Sequence, residues 1–242
     1  MMYRKLGVHM ASLGSAAHEL TAGRRLMPSL VHRSSEVSAH TRGHALGAPR
    51  LYEIMAEVAF FGRRRAAFQA LIAAVGVRRG QRVLDVGCGT GYFARLLAEP
   101  VGSTGRVVGI DPSQEMIRYA TRTAGAARNC QFQVGTTEAL AFPAEHFDVV
   151  VSRLVMHHLP DDLRVPALRE MQRVLRPGGK LLIAEARAPS HGLVLCALSR
   201  IHGFDRMARM VPHLEPLALQ AGFDEVRAGE VPPWLRYIVA LK

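Results

Sequence analysis

Nine residues, Val83-Leu84-Asp85-Val86-Gly87-Cys88-Gly89-Thr90-Gly91, close a short apolar run with three alternating glycines, and Asp111 follows twenty residues beyond Gly91. Glycine at 87, 89 and 91 removes the Cβ atoms that would hold a ligand away from the backbone. A helix starting after Gly91 offers it free N–H groups. A carboxylate at the end of the next strand is placed to take two ribose hydroxyls. The dinucleotide fingerprint needs glycine at position 92, where this chain has Tyr92. Asp85 also puts a negative charge at the mouth of the loop, which opposes a pyrophosphate and suits a ligand carrying a sulfonium and an ammonium group. The ligand expected on these grounds is a cationic nucleoside.

The elements that must position these groups are legible from texture. Leu51, Ile54, Met55 and Val58 repeat at helical spacing, as do Phe68, Leu71, Ile72 and Val75, so two helices precede the first strand at 83–86. Strands then alternate with helices. Strands are expected at 107–110, 131–134, 147–151 and 180–184, with helices from about Tyr92 and Ser113 and near 163–175. Such alternation implies a parallel sheet with helices on both faces. After a helix that begins near Pro216 and stops at Gly222, the runs 225–231 and 234–241 flank Pro232-Pro233 and are close enough only for antiparallel pairing. Arg176-Pro177-Gly178-Gly179-Lys180 reads as a structural turn between helix and strand. Cys88 reads as a small residue in a tight loop, and Trp234 as a packing residue.

Several segments occur in one order: VLDVGCGTG, VVGIDPSQEM, EALAFPAEHFDVVVSRLVMHHLPD and LRPGGKLLIAE. Over 51–184 the chain resembles the class I methyltransferases, in the branch that includes the ubiquinone/menaquinone C-methyltransferases and the small-molecule "type 11" group. The resemblance implies a Rossmann-like α/β fold: a seven-stranded sheet, mostly parallel with an antiparallel last strand. It implies S-adenosylmethionine as cofactor, S-adenosylhomocysteine as product, and no metal. Gly87, Gly89 and Gly91 would line the methionyl part of the cofactor beside Asp85, and Asp111 would hold the ribose. Met116 or Pro112 would flank adenine, and Ser152, Arg153 and Leu154, after the fourth strand, would close over the methionine end. Where the family usually has an acid two positions before the matching Glu138, this chain has Thr136, which can still accept a hydrogen bond from the adenine amino group. Thr137 belongs to the same stretch, and Glu138 is read as capping a short helix that follows.

His157 and His158 fall where donor methyl and acceptor would meet. Either imidazole can deprotonate a phenol, hydroxyl or acidic carbon, or one can fix the loop by bonding to Asp161 or Asp162; both readings stay open. Methyl transfer is an in-line displacement, in which positioning supplies about 7 to 11 kcal/mol and a base about 10²- to 10⁴-fold. Residues 193–210, with Tyr52, Phe60 and Phe61, could line an apolar pocket for a hydrophobic or aromatic acceptor.

The remaining bounds come from composition. The 242 residues carry 31 Lys and Arg against 20 Asp and Glu, a net charge of +11, and residues 1–50 hold seven cations but two acids. Residues 1–48 are therefore read as a basic extension and 49–242 as the methyltransferase domain. No dense Lys/Arg run with interleaved aromatics appears, so nucleic acid is not expected as a partner. Three cysteines without paired spacing argue against a disulfide framework or structural zinc and point to a reducing compartment, read as cytoplasmic. No apolar run is long enough to span a bilayer, although Arg200, Arg206 and Arg209 could seat the chain on an anionic surface. A small-molecule acceptor and a monomer or homodimer are expected. An RNA or protein methyltransferase and a non-catalytic cofactor-binding protein are the alternatives.

Overall fold

Strand β1 (Arg82–Val86) buries four of its five residues, as a strand covered on both faces must. In the computed structural model β1 lies between β2 (Arg106–Asp111) and β4 (Phe147–Arg153), parallel to both. Outside them lie β3 (Cys130–Val134) and β5 (Leu175–Ala186), again parallel. The last strand, β7 (Leu235–Leu241), runs antiparallel to β5, and β6 (Asp224–Val231) forms the edge, giving the order β3-β2-β1-β4-β5-β7-β6. The expected seven-stranded α/β sheet is thus present, with its single reversed strand inserted one place in from the edge. The structure describes residues 49–125, 127–187 and 204–242. The basic stretch 1–48 and most of the 193–210 region lie outside them.

Helices cover both faces. On one side α2 (Arg64–Val75) and α3 (Tyr92–Val101) bury Phe68, Leu71, Val75, Phe93, Leu97 and Val101 against Val83, Val149, Val151 and Leu182 of the sheet. The apolar residues of α2 recur on one face of an alanine-rich segment, and Gly76, at φ +70°, ends the helix by donating its N–H to the Ile72 and Ala73 carbonyls. On the other side α5 (Asp161–Val174) and α7 (Leu214–Gln220) close over Leu84, Val86, Val150, Leu181 and Ile183. Helix α4 (Gln114–Thr123) is capped by Ser113, whose hydroxyl accepts from the Met116 N–H at 3.3 Å. A short α6 (Phe204–Met210) precedes α7. Among the described residues no helix is long and apolar enough to cross a membrane.

The Pro-Gly-Gly segment lies between α5 and the buried part of β5, where a structural connection is expected. Strand β5 runs through it with a register irregularity against β4, because the chain end supplies backbone partners. Gly178 donates to the Lys242 carbonyl at 2.8 Å, and the Lys242 N–H donates to Gly179 at 3.0 Å. Trp234 packs as expected, 4.2 Å from the Phe60 ring centroid, with its indole N–H on the Ala59 carbonyl at 2.9 Å.

Helix α1 (Pro49–Ala59) forms where the periodicity places it, yet its apolar stripe of Leu51, Ile54, Met55 and Val58 is exposed. Its attachment is polar instead. Glu53 accepts from both terminal nitrogens of Arg64, at 2.7 and 3.2 Å, and from the Thr90 hydroxyl in the glycine loop. Arg64 is buried, its guanidinium 3.9 Å from the Tyr92 ring centroid. Burial opposes ionisation of Glu53, but the bonds from Arg64 and Thr90 and the charges of Arg64 and Arg95 outweigh it and lower its pKa. Glu53→Ala leaves the Arg64 charge buried and unpaired, and should destabilise the fold by about 3 kcal/mol. A lower urea midpoint with an unchanged denaturant slope would show this; a midpoint that does not move would mean the latch contributes nothing.

Candidate active site

The strand order reverses between β1 and β4, the place where open α/β sheets leave a crevice at the carboxyl ends of their strands. The 87–91 loop, Asp111, and the 3-10 turn Met156–His158 after β4 all arrive there. The N–H groups of Gly87 and Cys88 both donate to the Ile110 carbonyl at 2.8 Å, fastening the loop to the end of β2.

The three glycines do different things. A Cβ on Gly87 would lie 2.2 Å from Val155 Cγ2, and one on Gly91 would lie 2.7 Å from the Phe132 ring and 2.9 Å from Ala120. Those two glycines are required by packing within the protein. Of the three, Gly89, φ +53°, is the one whose Cβ would meet nothing within 4 Å, so it is the loop position open to a ligand. Gly89→Ala, strained by about 1 to 2 kcal/mol in the left-handed region, should fold and yet lose at least tenfold in affinity for an adenosine ligand. Gly87→Ala should instead fail first in thermal stability. Calorimetry and melting curves on both variants test the contrast, which collapses if Gly89→Ala binds normally.

Asp111 accepts from the Gly89 N–H through Oδ2 and from the Ser113 N–H through Oδ1, both at 2.9 Å. A carboxylate oxygen has two acceptor sites, so each keeps one for a further donor, a pair suited to vicinal hydroxyls. Burial raises the Asp111 pKa while the two backbone N–H groups oppose the rise. Pro112 beside it is exposed, and Met116 is buried at the base of α4.

Asp85 is 1% exposed and its Oδ2 has no hydrogen-bond partner among the described residues. Burial pushes its pKa up to about 7; the Arg153 charge and the Ala94 N–H pull it down, and the Asp111 charge adds to the rise. Arg153 and Ser152 end β4 and are not part of a closing loop after it. Arg153 is buried, its guanidinium 4.1 Å from the Phe68 ring centroid and its Nε unpartnered among the described residues. Ser152, next along the strand and hence on the opposite face, also has a buried, unpartnered hydroxyl there.

Thr136 and Ala139 form an isolated antiparallel bridge, so 136–139 is a tight turn. No helix follows Glu138 within the described residues, and it caps none; its Oε2 accepts from the Thr137 hydroxyl at 3.0 Å. A two-residue turn satisfies its own backbone, leaving no helix start to cap. Phe60, expected in the acceptor pocket, is 2% exposed in the core against Phe68 and Trp234, because its ring completes the α2 face; Phe61 points outward.

His157 does not turn to Asp161 or Asp162. Its Nδ1 lies 2.8 Å from Glu185 Oε2, and the other oxygen of that carboxylate accepts the Met156 N–H at 2.8 Å. Asp161 pairs with Arg164 at 2.7 Å instead. The His158 ring stands 4.0 Å from that of His157. Sequence reasoning missed Glu185, Glu53 and Arg64. A lone acid ending the apolar run 181–184 was the available signal for Glu185; nothing local pointed to the other two.

Residues 83–179 match the family model described as "Methyltransferase domain". The chain is 37% identical over 146 residues to the "Ubiquinone/menaquinone biosynthesis C-methyltransferase UbiE" of Shewanella frigidimarina. Over the matched residues the chain is similar to the S-adenosylmethionine-dependent methyltransferases. The matched part of that relative is 57% of its length, and 59% of this chain. Among solved structures, the SAM-dependent methyltransferase from Aquifex aeolicus superposes with a TM-score of 0.65 at 21% identity, over 80% of this chain and 98% of that one. The [4+2]-cyclase SpnF superposes at 0.59 with 19% identity, over 74% and 80%. These likenesses describe the fold, and a methyltransferase fold hosts more than one reaction. The residues at the switch point fit S-adenosylmethionine: an unpartnered buried carboxylate oxygen on Asp85 for a cation, a Cβ-free approach at Gly89, and spare acceptors on Asp111 for ribose.

Proposed function

We propose that this chain is a methyltransferase that transfers a methyl group from S-adenosylmethionine to a small, hydrophobic or aromatic acceptor. The observation that carries the reading is the buried, unpartnered Asp85 oxygen at the entry to the Gly89 loop, with Asp111 one strand away. A buried acceptor without a donor costs about 1 to 3 kcal/mol, and an ammonium or sulfonium ligand relieves it. Asp111 holds the ribose through its free lone pairs, Pro112 presents the accessible surface for adenine, and Thr136, Thr137 and Glu138 bound the same end. Arg153 and Ser152 lie at the methionine end, where Arg153 also sets the charge on Asp85. The bound cofactor supplies a methyl group already activated by positive sulfur, so the protein's contribution is orientation and exclusion of water.

The acceptor reading rests on the curated relatives, whose name specifies C-methylation in quinone biosynthesis. A phenolic or quinol ring with an unsubstituted carbon is the corresponding acceptor class here. Residues 1–48 are taken as an extension separate from the 49–242 domain, and a soluble cytoplasmic location suits a small-molecule substrate.

The purified chain, incubated with methyl-labelled S-adenosylmethionine and 1,4-naphthohydroquinone, should yield a ring-methylated product by mass spectrometry. Failure of the chain to bind S-adenosylhomocysteine in calorimetry would overturn the cofactor assignment. Binding with label transferred only to RNA or protein would overturn the acceptor class.

A further inference from the structure

Most of the large apolar side chains left in water belong to one short stretch of the chain. Of the seven exposed ones among the described residues, five are Leu51, Ile54, Met55, Val58 and Phe61. The first four lie at i, i+3, i+4 and i+7 of α1 and so share one face of that helix. Phe61 extends the face past the helix end and is 61% exposed. Its φ is +52°, in the left-handed region where a helix commonly stops on glycine. Hydrogen bonds hold the turn there, from the Phe61 N–H to the Val58 carbonyl at 3.0 Å and from the Gly62 N–H to the Glu57 carbonyl at 3.2 Å. A phenylalanine in this conformation is strained where a glycine would not be. The strain presents a ring to water beside four other apolar side chains, an arrangement that folding alone does not reward.

Cations border this face. Arg50 lies at the start of α1 and Arg63 follows the turn; both are exposed and neither has a carboxylate partner among the described residues. Arg65 pairs with Glu99 on the surface at 2.9 Å. Glu57, the exposed acid of α1, lies on the Arg50 side of the helix, at the margin of the stripe. Residues 1–65 carry ten Lys and Arg against four acids, more than half of the chain's net charge of +11. Five such side chains expose on the order of 500 Å², below the roughly 800 Å² that each partner contributes to a stable protein interface. An anionic bilayer needs no such area, because it takes the apolar face at the acyl boundary and the cations at its headgroups.

We propose that α1 and the turn through Phe61 dock the protein reversibly on an anionic bilayer. Leu51, Ile54, Met55, Val58 and Phe61 enter the headgroup–acyl boundary, and Arg50 and Arg63 meet the anionic headgroups. Glu53 accepts from the Thr90 hydroxyl, so the docked helix stays fastened to the glycine loop. Membrane binding needs neither methyl donor nor acceptor, and its failure would leave the methyltransferase reading untouched.

Co-sedimentation of the full chain with vesicles tests the assignment. Vesicles of three parts phosphatidylcholine to one part phosphatidylglycerol should hold the protein at least tenfold more tightly than phosphatidylcholine alone, with the difference fading as salt rises to about 0.5 M. The double variant Ile54→Glu/Val58→Glu should lose at least tenfold in binding while melting as the wild type does, because both side chains are exposed. Phe61→Gly separates docking from folding: it relieves the left-handed strain and should melt no lower than wild type, yet bind the mixed vesicles several-fold more weakly. Equal binding to both vesicle types, or undiminished binding by Phe61→Gly, would overturn the proposal. Undiminished binding by Ile54→Glu/Val58→Glu would overturn it too, leaving residues 1–48 to bind by charge alone. A dimer in sedimentation velocity that the double variant dissolves would give the face to a second copy of the chain, with the same consequence.

Discussion

Replacing Asp111 with alanine should lower the affinity for S-adenosylhomocysteine by about 10²- to 10⁴-fold. The magnitude follows from two hydrogen bonds between ribose hydroxyls and a charged acceptor, each contributing about 1.5 to 3 kcal/mol. The same substitution releases the Gly89 and Ser113 N–H groups from their side-chain acceptor, loosening the loop that faces the ligand. The Asp111→Asn variant, with one acceptor oxygen in place of two, should lie between wild type and alanine. Isothermal calorimetry measures the affinities, and a melting curve on the free protein separates a binding loss from a folding one. A folded Asp111→Ala protein that binds within a few-fold of wild type would remove ribose recognition from this residue.

Asp85 should make both stability and cofactor affinity depend on pH, in opposite directions. Its folded pKa is raised by burial from 3.8 to about 7, so between those values the folded chain holds a proton that the unfolded chain has released. Stability from this group is complete below the unfolded value and is lost as pH rises through about 7; the total is on the order of 4 kcal/mol. Asp85→Asn keeps a neutral side chain at every pH. The free variant should therefore be more stable than wild type at pH 8 and equal to it near pH 4. Binding runs the other way, because the ligand's ammonium group favours the carboxylate and its docking expels the proton. Affinity for S-adenosylhomocysteine should rise by up to about tenfold per pH unit below 7 and level off above it. Asp85→Asn should bind weakly with no such slope. A wild-type affinity that stays flat from pH 5.5 to 8 would remove Asp85 from contact with the ligand's charge.

The sheet was legible in the sequence because its signals are local. The central strands carry short apolar runs, Val107–Val108, Val149–Val151 and Leu181–Ala184 among them, and most stop at a glycine or a carboxylate such as Gly87, Asp111 or Glu185. The insertion of β7 between β5 and β6 was not legible, since two adjacent antiparallel runs can add to an edge in either order. The glycine loop was found for a reason that is one-third correct. Only Gly89 is open to a ligand, whereas Gly87 and Gly91 accommodate Val155, Phe132 and Ala120, residues far away in sequence. Glu185 reaches His157 across 28 residues and Glu53 reaches Thr90 across 37, so both contacts depend on how the elements pack. The exposed stripe on α1 marks the same limit: periodicity identifies a helix and a face, but not what covers that face.

Cys88 stands inside the glycine loop and Cys130 nearby at the start of β3, both buried. Burial and the neighbouring Asp85 charge push the Cys88 thiol well above its ordinary range and the Cys130 thiol to about 12. At neutral pH both therefore stay thiols and not the thiolates that attack electrophiles. Burial first, and the Asp85 charge second, thus keep both sulfurs chemically quiet.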